Sequence, residues 1–276
     1  MKIGIIGLGL MGGSLALSLK KLPFVNKISG YDHNEVHQDI ALKRHLVHDI
    51  VSFKNIKKCD VIFLAIPVNA IIALFDDLID IPEQTTLIDL GGTKEQIVHA
   101  VPSAIRRNFV AAHPMAGTEY YGPNAAVDDL FKDQIVVLCD LNDSGTHQQE
   151  VAVRLFSGIH MQLHYMRSCD HDRHAAYISH MPHIVSFSLA NTVLSQEEKE
   201  NILLLAAGGF RSMSRLAKSS PQMWEDIFRQ NQTHLLRAIE HFETELSTLK
   251  RCIKDDDWTT LHERMKTANK LQELFS

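Results

Sequence analysis

The sequence has few cysteines, little net charge and no long uninterrupted hydrophobic segment. Its four cysteines show no C-x-x-C spacing, which argues against a cysteine-based structural zinc site. Lys and Arg total 28 against 33 Asp and Glu, and the net charge of −5 argues against a dedicated nucleic-acid-binding protein. The most apolar segment, residues 61–75, is interrupted by Pro67 and Asn69 and is too short to span a bilayer. The start does not resemble a secretory signal, so we expect a cytoplasmic protein that binds no membrane.

The sequence does contain a regular alternation of short apolar runs with helical segments. Hydrophobic residues make up 45% and charged residues 22% of the 276, a composition typical of globular proteins. Strands that alternate with helices predict right-handed crossovers and an α/β fold with a doubly wound parallel sheet. The six candidate strands cover residues 2–6, 27–31, 61–65, 86–89, 108–112 and 135–139.

After residue 165 the pattern changes to helices alone. The hydrophobic periodicity predicts helices over residues 168–194, 197–205, 221–254 and 258–274. We therefore predict two domains, a nucleotide-binding domain at 1–166 and an all-helical domain at 167–276. A helical segment this rich in apolar residues favours burial against a second copy of the chain, so a homodimer is expected.

A glycine-rich turn opens the first predicted helix. Its sequence is Gly7-Leu8-Gly9-Leu10-Met11-Gly12, a G-x-G-x-x-G motif, and Asp32 ends the next strand. The glycines permit a tight turn, close approach of a pyrophosphate and close helix–strand packing, while Asp32 can accept a hydrogen bond from a ribose 2′-hydroxyl. Because a carboxylate repels a 2′-phosphate, the motif predicts a Rossmann-type domain that binds NAD rather than NADP. Pro67 and Gly91 follow later strands and belong to the same predicted cofactor site.

His113 directly follows the fifth candidate strand. Ligands of doubly wound sheets bind beyond the carboxyl ends of the strands, so its ring should face the nicotinamide crevice. An imidazole that titrates near neutrality can accept a hydroxyl proton while hydride leaves the same carbon. The sequence therefore predicts His113 as a catalytic base.

The helix predicted at 168–194 is rich in histidine and aspartate. At 100° per residue, Asp172, Ser179 and His183 form one polar stripe. Two histidine pairs have the i,i+3 spacing of metal ligands, His171/His174 and His180/His183. Zinc is therefore an alternative, but a nicotinamide cofactor already supplies the chemistry and we expect no metal.

Further along, a diglycine precedes three closely spaced cations, Arg211, Arg215 and Lys218. Arginine can clamp a carboxylate with two parallel hydrogen bonds, so this segment suits an anionic small-molecule substrate. On spacing alone, a solvated charged surface is an equally good interpretation.

Together these residues resemble the prephenate/arogenate dehydrogenases of tyrosine biosynthesis. The resemblance runs nearly end to end, and it is carried by GLGLMGGS at 7–14, HPMAGTE at 113–119, ISHMPH at 178–183 and GGFRSMSRLAKSSPQMW at 208–224. It implies NAD-dependent oxidative decarboxylation of prephenate to 4-hydroxyphenylpyruvate, with His113 taking the proton of the ring hydroxyl.

The resemblance also implies a substrate site. Arg215 corresponds to the arginine that binds the substrate carboxylate. Ser179 and His183 correspond to residues that line the pocket, and Glu119 to a polar group at its mouth. Arg211 corresponds to a basic position that can reach the neighbouring subunit's site in the family's helical dimer.

Two positions depart from the family pattern. Many relatives carry serine where this chain has Gly92, so the hydroxyl beside the nicotinamide is either missing or supplied by Thr93. Relatives that use arogenate tend to carry an acidic residue where this chain has Ser212. A neutral serine does not attract the ammonium group of arogenate, so we predict that prephenate is the better substrate.

Three alternatives stay open from the sequence. Arogenate dehydrogenase shares every motif except the preference inferred from Ser212. A β-hydroxyacid dehydrogenase has a similar two-domain plan but usually relies on a lysine in the first long helix after the sheet, and residues 168–194 contain none. A non-catalytic NAD-binding sensor needs the glycine turn but not the histidine, serine and arginine set of the substrate site.

Overall fold

The computed structural model describes residues 1–118 and 120–274. Eight strands form one sheet in the order β3-β2-β1-β4-β5-β6-β7-β8, and neighbouring strands are parallel except for β6 and β7. The strands are β1 (Lys2–Ile6), β2 (Lys27–Tyr31), β3 (Asp49–Ile50), β4 (Val61–Leu64), β5 (Thr86–Asp89), β6 (Phe109–Pro114), β7 (Ile135–Cys139) and β8 (Gln162–Met166). The predicted α/β fold with a doubly wound parallel sheet is confirmed, except that β6 and β7 are antiparallel.

The central strands are short apolar runs because helices cover both faces of a parallel sheet. Every residue of β4 and β5 is buried, and so is β1 after its first residue. Strands β3 and β8 lie outside the six predicted strands, since β3 has only two residues and β8 is largely exposed at the sheet edge. Strand β7 runs antiparallel to β6 because the described residues between them form no crossover α-helix.

The helices surround the sheet and then continue without strands. Helices that accompany the sheet are α1 (Leu10–Leu19), α2 (Glu35–Lys43), α3 (Phe53–Ile56), α4 (Val68–Leu74), α5 (Glu95–Ala100) and α6 (Thr146–Gly158). Those that follow it are α7 (Ser168–Ala175), α8 (Met181–Leu194), α9 (Lys199–Leu204), α10 (Gly208–Met213), α11 (Pro221–Gln230), α12 (Gln232–Lys254) and α13 (Trp258–Asn269).

Two predicted long helices are interrupted in the structure. The helix predicted at 168–194 consists of α7 and α8 joined by a π-helical segment, Ala176–His180. The helix predicted at 221–254 breaks at Asn231, between α11 and α12. A π-helical turn holds an extra residue, so the polar stripe expected from 100° per residue loses its phase across this segment.

Buried apolar side chains form one cluster on each face of the sheet. The second cluster includes Trp224 and Ile227, so α11 packs against the sheet although it follows the last strand. The chain divides into two compact units, Met1–Asn231 and the segment that begins at Gln232. Within the second unit α12 packs against α13, and Arg264 pairs with Glu245 at 2.8 Å. None of the described helices is long and apolar enough to cross a membrane.

Candidate active site

The glycine turn between β1 and α1 has the backbone geometry that its sequence requires. Gly7 has φ +93°, and a Cβ there would lie 2.3 Å from the carbonyl oxygen of Ala65. A Cβ on Gly12 would lie 1.9 Å from the carbonyl oxygen of Gly7, so helix and turn pack too closely for any side chain. At Gly9 a Cβ would meet nothing within 4 Å. The open space over Gly9, at the start of α1, suits a phosphate group.

Asp32 lies beside this turn at the end of β2. Its side chain is 6% exposed; Oδ2 accepts a hydrogen bond from the Leu8 amide at 2.8 Å and Oδ1 accepts one from the Asn34 amide at 2.9 Å. Each carboxylate oxygen can accept a further hydrogen bond, so the position suits a pair of ribose hydroxyls. The bond to the Leu8 amide ties the carboxylate to the glycine turn, and nothing in the sequence pattern predicts it.

A buried ion pair holds the neighbouring strand ends. The Lys94 ammonium group contacts the Asp89 carboxylate, and both side chains are fully buried. Lys94 also donates to the carbonyl oxygen of Ala112 at 2.8 Å, while Asp89 Oδ1 accepts from the Ala112 amide at 3.1 Å. Asp89 Oδ2 accepts from the Gly91 amide at 3.0 Å. The pair therefore fixes both the turn after β5 and the residue that precedes His113.

His113 is joined to a second histidine and an aspartate. Its Nδ1 lies 2.8 Å from Nε2 of His171, and Nδ1 of His171 lies 2.8 Å from Oδ1 of Asp172. His171 and Asp172 are buried, whereas His113 is partly exposed. Removal of the imidazole ring from water, together with the neighbouring His171, Lys94 and His180, lowers the pKa of His113 well below its ordinary value. The imidazole is therefore neutral at physiological pH and can accept a proton.

The π-helical segment contributes a further histidine, His180, which lies close to His171 and Asp172. Burial lowers the pKa of His180 to about 4, so its ring is neutral. Its Nδ1 lies 3.0 Å from the amide nitrogen of Asn231, which also donates to the carbonyl oxygen of Asp172 at 2.7 Å. Asn231 thus connects the end of α11 to α7 and to the π-helical segment.

Several predicted substrate residues lie together next to α11. His183 stacks on the Trp224 indole with ring centroids 3.5 Å apart, and its Nδ1 lies 2.9 Å from the carbonyl oxygen of Ser179. The turn that begins with Arg215 packs against α8. Burial lowers the pKa of His183, and the positive charge of Arg215 lowers it further. A histidine, a serine and an exposed arginine therefore share one region.

The remaining predicted site residues are Thr93, Pro67, Gly91, Arg211, Ser212 and Glu119. The Thr93 hydroxyl is fully buried and donates to Gln230 Oε1 at 2.9 Å, so its proton is already used within the protein. Pro67 is exposed just before α4, and Gly91 is buried in the turn after β5. Arg211 and Ser212 are exposed on α10. Glu119 lies outside the described residues.

The residues that sequence reasoning missed are those behind His113. In the sequence His171 stands out only by its metal-ligand spacing and Asp172 only as part of a polar stripe, and no motif marks Asn231. Nothing in the local sequence shows that α7 lies against the end of β6. Among residues 1–118 and 120–274, no three His, Cys, Asp or Glu side chains lie close enough to hold a metal ion.

The fold and the site together define the class of enzyme to which this protein belongs. A glycine turn with a paired acidic residue at the centre of a doubly wound sheet, and a neutral histidine at the same sheet edge, characterise a dinucleotide-dependent dehydrogenase with a Rossmann fold.

Comparison with known proteins narrows that class to one family. The nucleotide-binding domain model of prephenate dehydrogenase matches residues 15–165, and the dimerization domain model of the same family matches residues 167–267. The prephenate dehydrogenase of Bacillus subtilis is 31% identical over 95% of this chain and 72% of its own length. The chain belongs to the prephenate dehydrogenase family and is an oxidoreductase.

Solved structures agree with this assignment. Prephenate dehydrogenase from A. aeolicus, in complex with hydroxyphenyl propionate and NAD+, superposes with a TM-score of 0.93 at 30% identity, over 100% of this chain and 98% of that one. Arogenate dehydrogenase from Synechocystis superposes with a TM-score of 0.82 at 26% identity, over the whole of both chains.

Proposed function

We propose that the protein catalyses the NAD-dependent oxidative decarboxylation of prephenate to 4-hydroxyphenylpyruvate. The observation that carries the proposal is the neutral His113, which lies at the edge of the sheet where the glycine turn also opens and which uses Nδ1, not Nε2, to contact His171. Family membership and the A. aeolicus complex with NAD+ support both the reaction and the cofactor.

The turn at residues 7–12 and Asp32 fit a dinucleotide. The open space over Gly9 would hold the pyrophosphate, and Asp32 would accept from the ribose hydroxyls while repelling the 2′-phosphate of NADP. Pro67 and Gly91, on the turns after β4 and β5, would face the nicotinamide half. When bound, NAD accepts a hydride from the carbon that bears the substrate hydroxyl.

His113 would remove the proton from that hydroxyl at Nε2. Because its pKa is lowered, the imidazole is already unprotonated when substrate arrives. Loss of the hydride and the proton converts the ring alcohol to a ketone. The ring carboxylate then leaves as carbon dioxide, its bonding electron pair completes the aromatic ring, and the oxygen recovers a proton to become the phenol.

Arg215 would bind a carboxylate of the substrate, with Ser179 and His183 lining the same pocket. Roles for Arg211, Ser212 and Glu119 stay predictions, as does Thr93 in place of a serine hydroxyl. The preference for prephenate over arogenate rests on Ser212 and is also a prediction. In this proposal residues 1–166 bind the cofactor and residues 167–276 supply substrate binding and dimer contacts.

A homodimer is part of the proposal. The family model for residues 167–267 describes a dimerization domain. Leu204 and Leu205 on and after α9 are 83% and 82% exposed, as expected of side chains that a second copy covers. The cytoplasmic location expected from the sequence stays a prediction.

The test is the initial rate of NADH formation by purified protein, with prephenate compared with arogenate and NAD with NADP. Faster turnover of prephenate with NAD is expected. A preference for arogenate would keep the family and the role of His113 but overturn the interpretation of Ser212. No turnover of either substrate would overturn the proposed reaction and favour a non-catalytic NAD sensor.

A further inference from the structure

We propose that His171 and Asp172 are positioning residues that hold His113 in the one neutral tautomer able to accept a proton at Nε2. The inference deepens the proposed function and rests on it, because it concerns the base of that reaction. It is carried by the row of hydrogen-bonding atoms that runs from Asp172 through His171 to His113.

The direction of this row is set at Asp172. Its carboxylate is 1% exposed and accepts two backbone amides, Lys94 at Oδ1 (2.8 Å) and Glu95 at Oδ2 (2.9 Å). Amide donors stabilise the ionised form of a buried carboxylate, and an ionised carboxylate can only accept hydrogen bonds. The nitrogen of His171 that faces Asp172 must therefore carry a proton.

The tautomers of both histidines follow from that requirement. In the proposed state His171 is neutral, so protonation at Nδ1 leaves its Nε2 as an acceptor. The Nδ1 of His113, 2.8 Å away, must then be the donor. A neutral His113 with a proton on Nδ1 has its free lone pair on Nε2, which is the atom that a base needs.

The arrangement also prepares the protein for the charge that His113 acquires. When Nε2 takes the substrate's proton, the positive ring still donates from Nδ1 to His171, which donates in turn to the Asp172 carboxylate. Among the described residues, the other groups that act on the titration of His113 are Lys94, paired with Asp89, and the neutral His180. Asp172 is therefore the anion to which the row of hydrogen bonds leads.

Three elements of secondary structure and Asn231 hold the row in place. Asp172 is anchored by the amides at the start of α5, and its carbonyl oxygen accepts from Asn231 at 2.7 Å. The rings of His113 and His171 meet edge to face, with centroids 4.9 Å apart and planes inclined by 67°. Because β6, α5, α7 and Asn231 all contribute, the ring of His113 has little freedom to turn.

The first test measures the tautomers of His113 and His171 directly in the free protein, without substrate. Protein labelled with ¹⁵N on histidine is examined by NMR, in which ring nitrogens with and without a proton have different shifts. We expect both His113 and His171 to carry the proton on Nδ1. A proton on Nε2 of either ring, in a neutral or a charged form, would overturn the proposal whatever the enzyme's activity.

The second test exchanges the anion for an amide. In Asp172→Asn an NH₂ group replaces one carboxylate oxygen, so the side chain can accept from only one of the two backbone amides. With its oxygen toward Glu95, the NH₂ group takes the position of Oδ1 and faces Nδ1 of His171, which must then accept. His171 then donates from Nε2, and His113 moves its proton to Nε2. We expect kcat to fall about 10²–10⁴-fold with unchanged NAD affinity, together with the tautomer change in the NMR spectrum.

Asp170→Asn is the matched control, because Asp170 lies on the same helix and pairs only with the exposed Arg167 and Arg173 among the contacts described for it. It should keep wild-type kcat. A folded Asp172→Asn protein with wild-type kcat and tautomers would overturn the proposal.

A third comparison separates hydrogen bonding from packing. The side chain of His171→Gln offers an oxygen that can accept from Nδ1 of His113, whereas His171→Leu fills similar space without an acceptor. We expect the glutamine variant to turn over about tenfold faster than the leucine variant, and equal rates would contradict the proposal. If wild-type protein turned over neither substrate, the proposed function would fail while the tautomers could still be measured.

Discussion

The cofactor end and the proton-accepting end of the site are built in different ways. At the cofactor end, the glycine turn contacts Asp32 only 24 residues away, through one backbone amide. At the other end, His113 contacts a residue 58 positions later, and Asp172 accepts an amide from a residue 78 positions earlier. The cofactor end is a single βαβ unit, so a short sequence motif predicts it. The proton-accepting end forms only when β6, α5 and α7 pack together, so no local motif predicts it.

The largest effect should come from the long-range end. His113→Asn removes the base but leaves the glycine turn intact, so kcat should fall about 10²–10⁴-fold while NADH affinity stays unchanged. Steady-state rates and NADH fluorescence titration measure the two quantities. His164→Asn, on the exposed edge strand β8, is the matched control. A near-normal kcat in the His113 variant would remove this residue from the mechanism.

The pH dependence of the wild-type reaction rate tests the role of His113 as the base. A lowered pKa means that His113 takes up a proton only below the ordinary histidine value of 6.5. The rate with substrate well below its KM should therefore persist as pH falls through 6.5 and decline only at more acidic pH. An acid limb centred at or above 6.5 would show that the ring is less desolvated than its contacts indicate.

How far the sequence predicts the structure follows from the same distinction between local and long-range contacts. The positions of the central strands, the glycine turn, Asp32 and the position of His113 follow from apolar runs, glycine spacing and the rule that ligands meet strand ends. The antiparallel β7 and the break at Asn231 depend on how distant segments pack. The π-helical segment at Ala176–His180 adds a residue to a turn, and periodicity cannot register that.

Arg215→Ala should have the next largest effect and should act on substrate rather than on chemistry. Loss of a charge-assisted hydrogen bond to a carboxylate is expected to raise KM for prephenate about 10–100-fold with a smaller change in kcat. Arg229→Ala, which removes an exposed arginine paired with Glu225 on α11, is the control and should leave KM unchanged. An unaltered KM in the Arg215 variant would place that side chain outside the substrate site.

At the cofactor end, Asp32→Asn keeps an oxygen for the Leu8 amide but removes the negative charge. The ratio of kcat/KM for NADP to that for NAD should rise about tenfold, because repulsion of the 2′-phosphate is lost. Asp39→Asn, an exposed position on α2, serves as the control. An unchanged ratio in the Asp32 variant would mean that another group selects NAD over NADP. The glycine turn and Asp32 would then account for dinucleotide binding but not for the choice of cofactor.

The smallest effect is expected at Gly92, in the turn after β5. A Cβ there would lie 3.5 Å from Cδ1 of Ile227, an ordinary contact, and the backbone is not left-handed, so Gly92→Ser should fold with a free energy of unfolding within about 1 kcal/mol of wild type. Because the Thr93 hydroxyl donates to Gln230, a new hydroxyl at 92 supplies a hydrogen bond that the wild type lacks. We expect kcat to rise by less than about tenfold in Gly92→Ser and to stay unchanged in Gly92→Ala, which adds the Cβ alone. Equal kcat values in both variants and wild type would show that the base held by His171 needs no hydroxyl beside it.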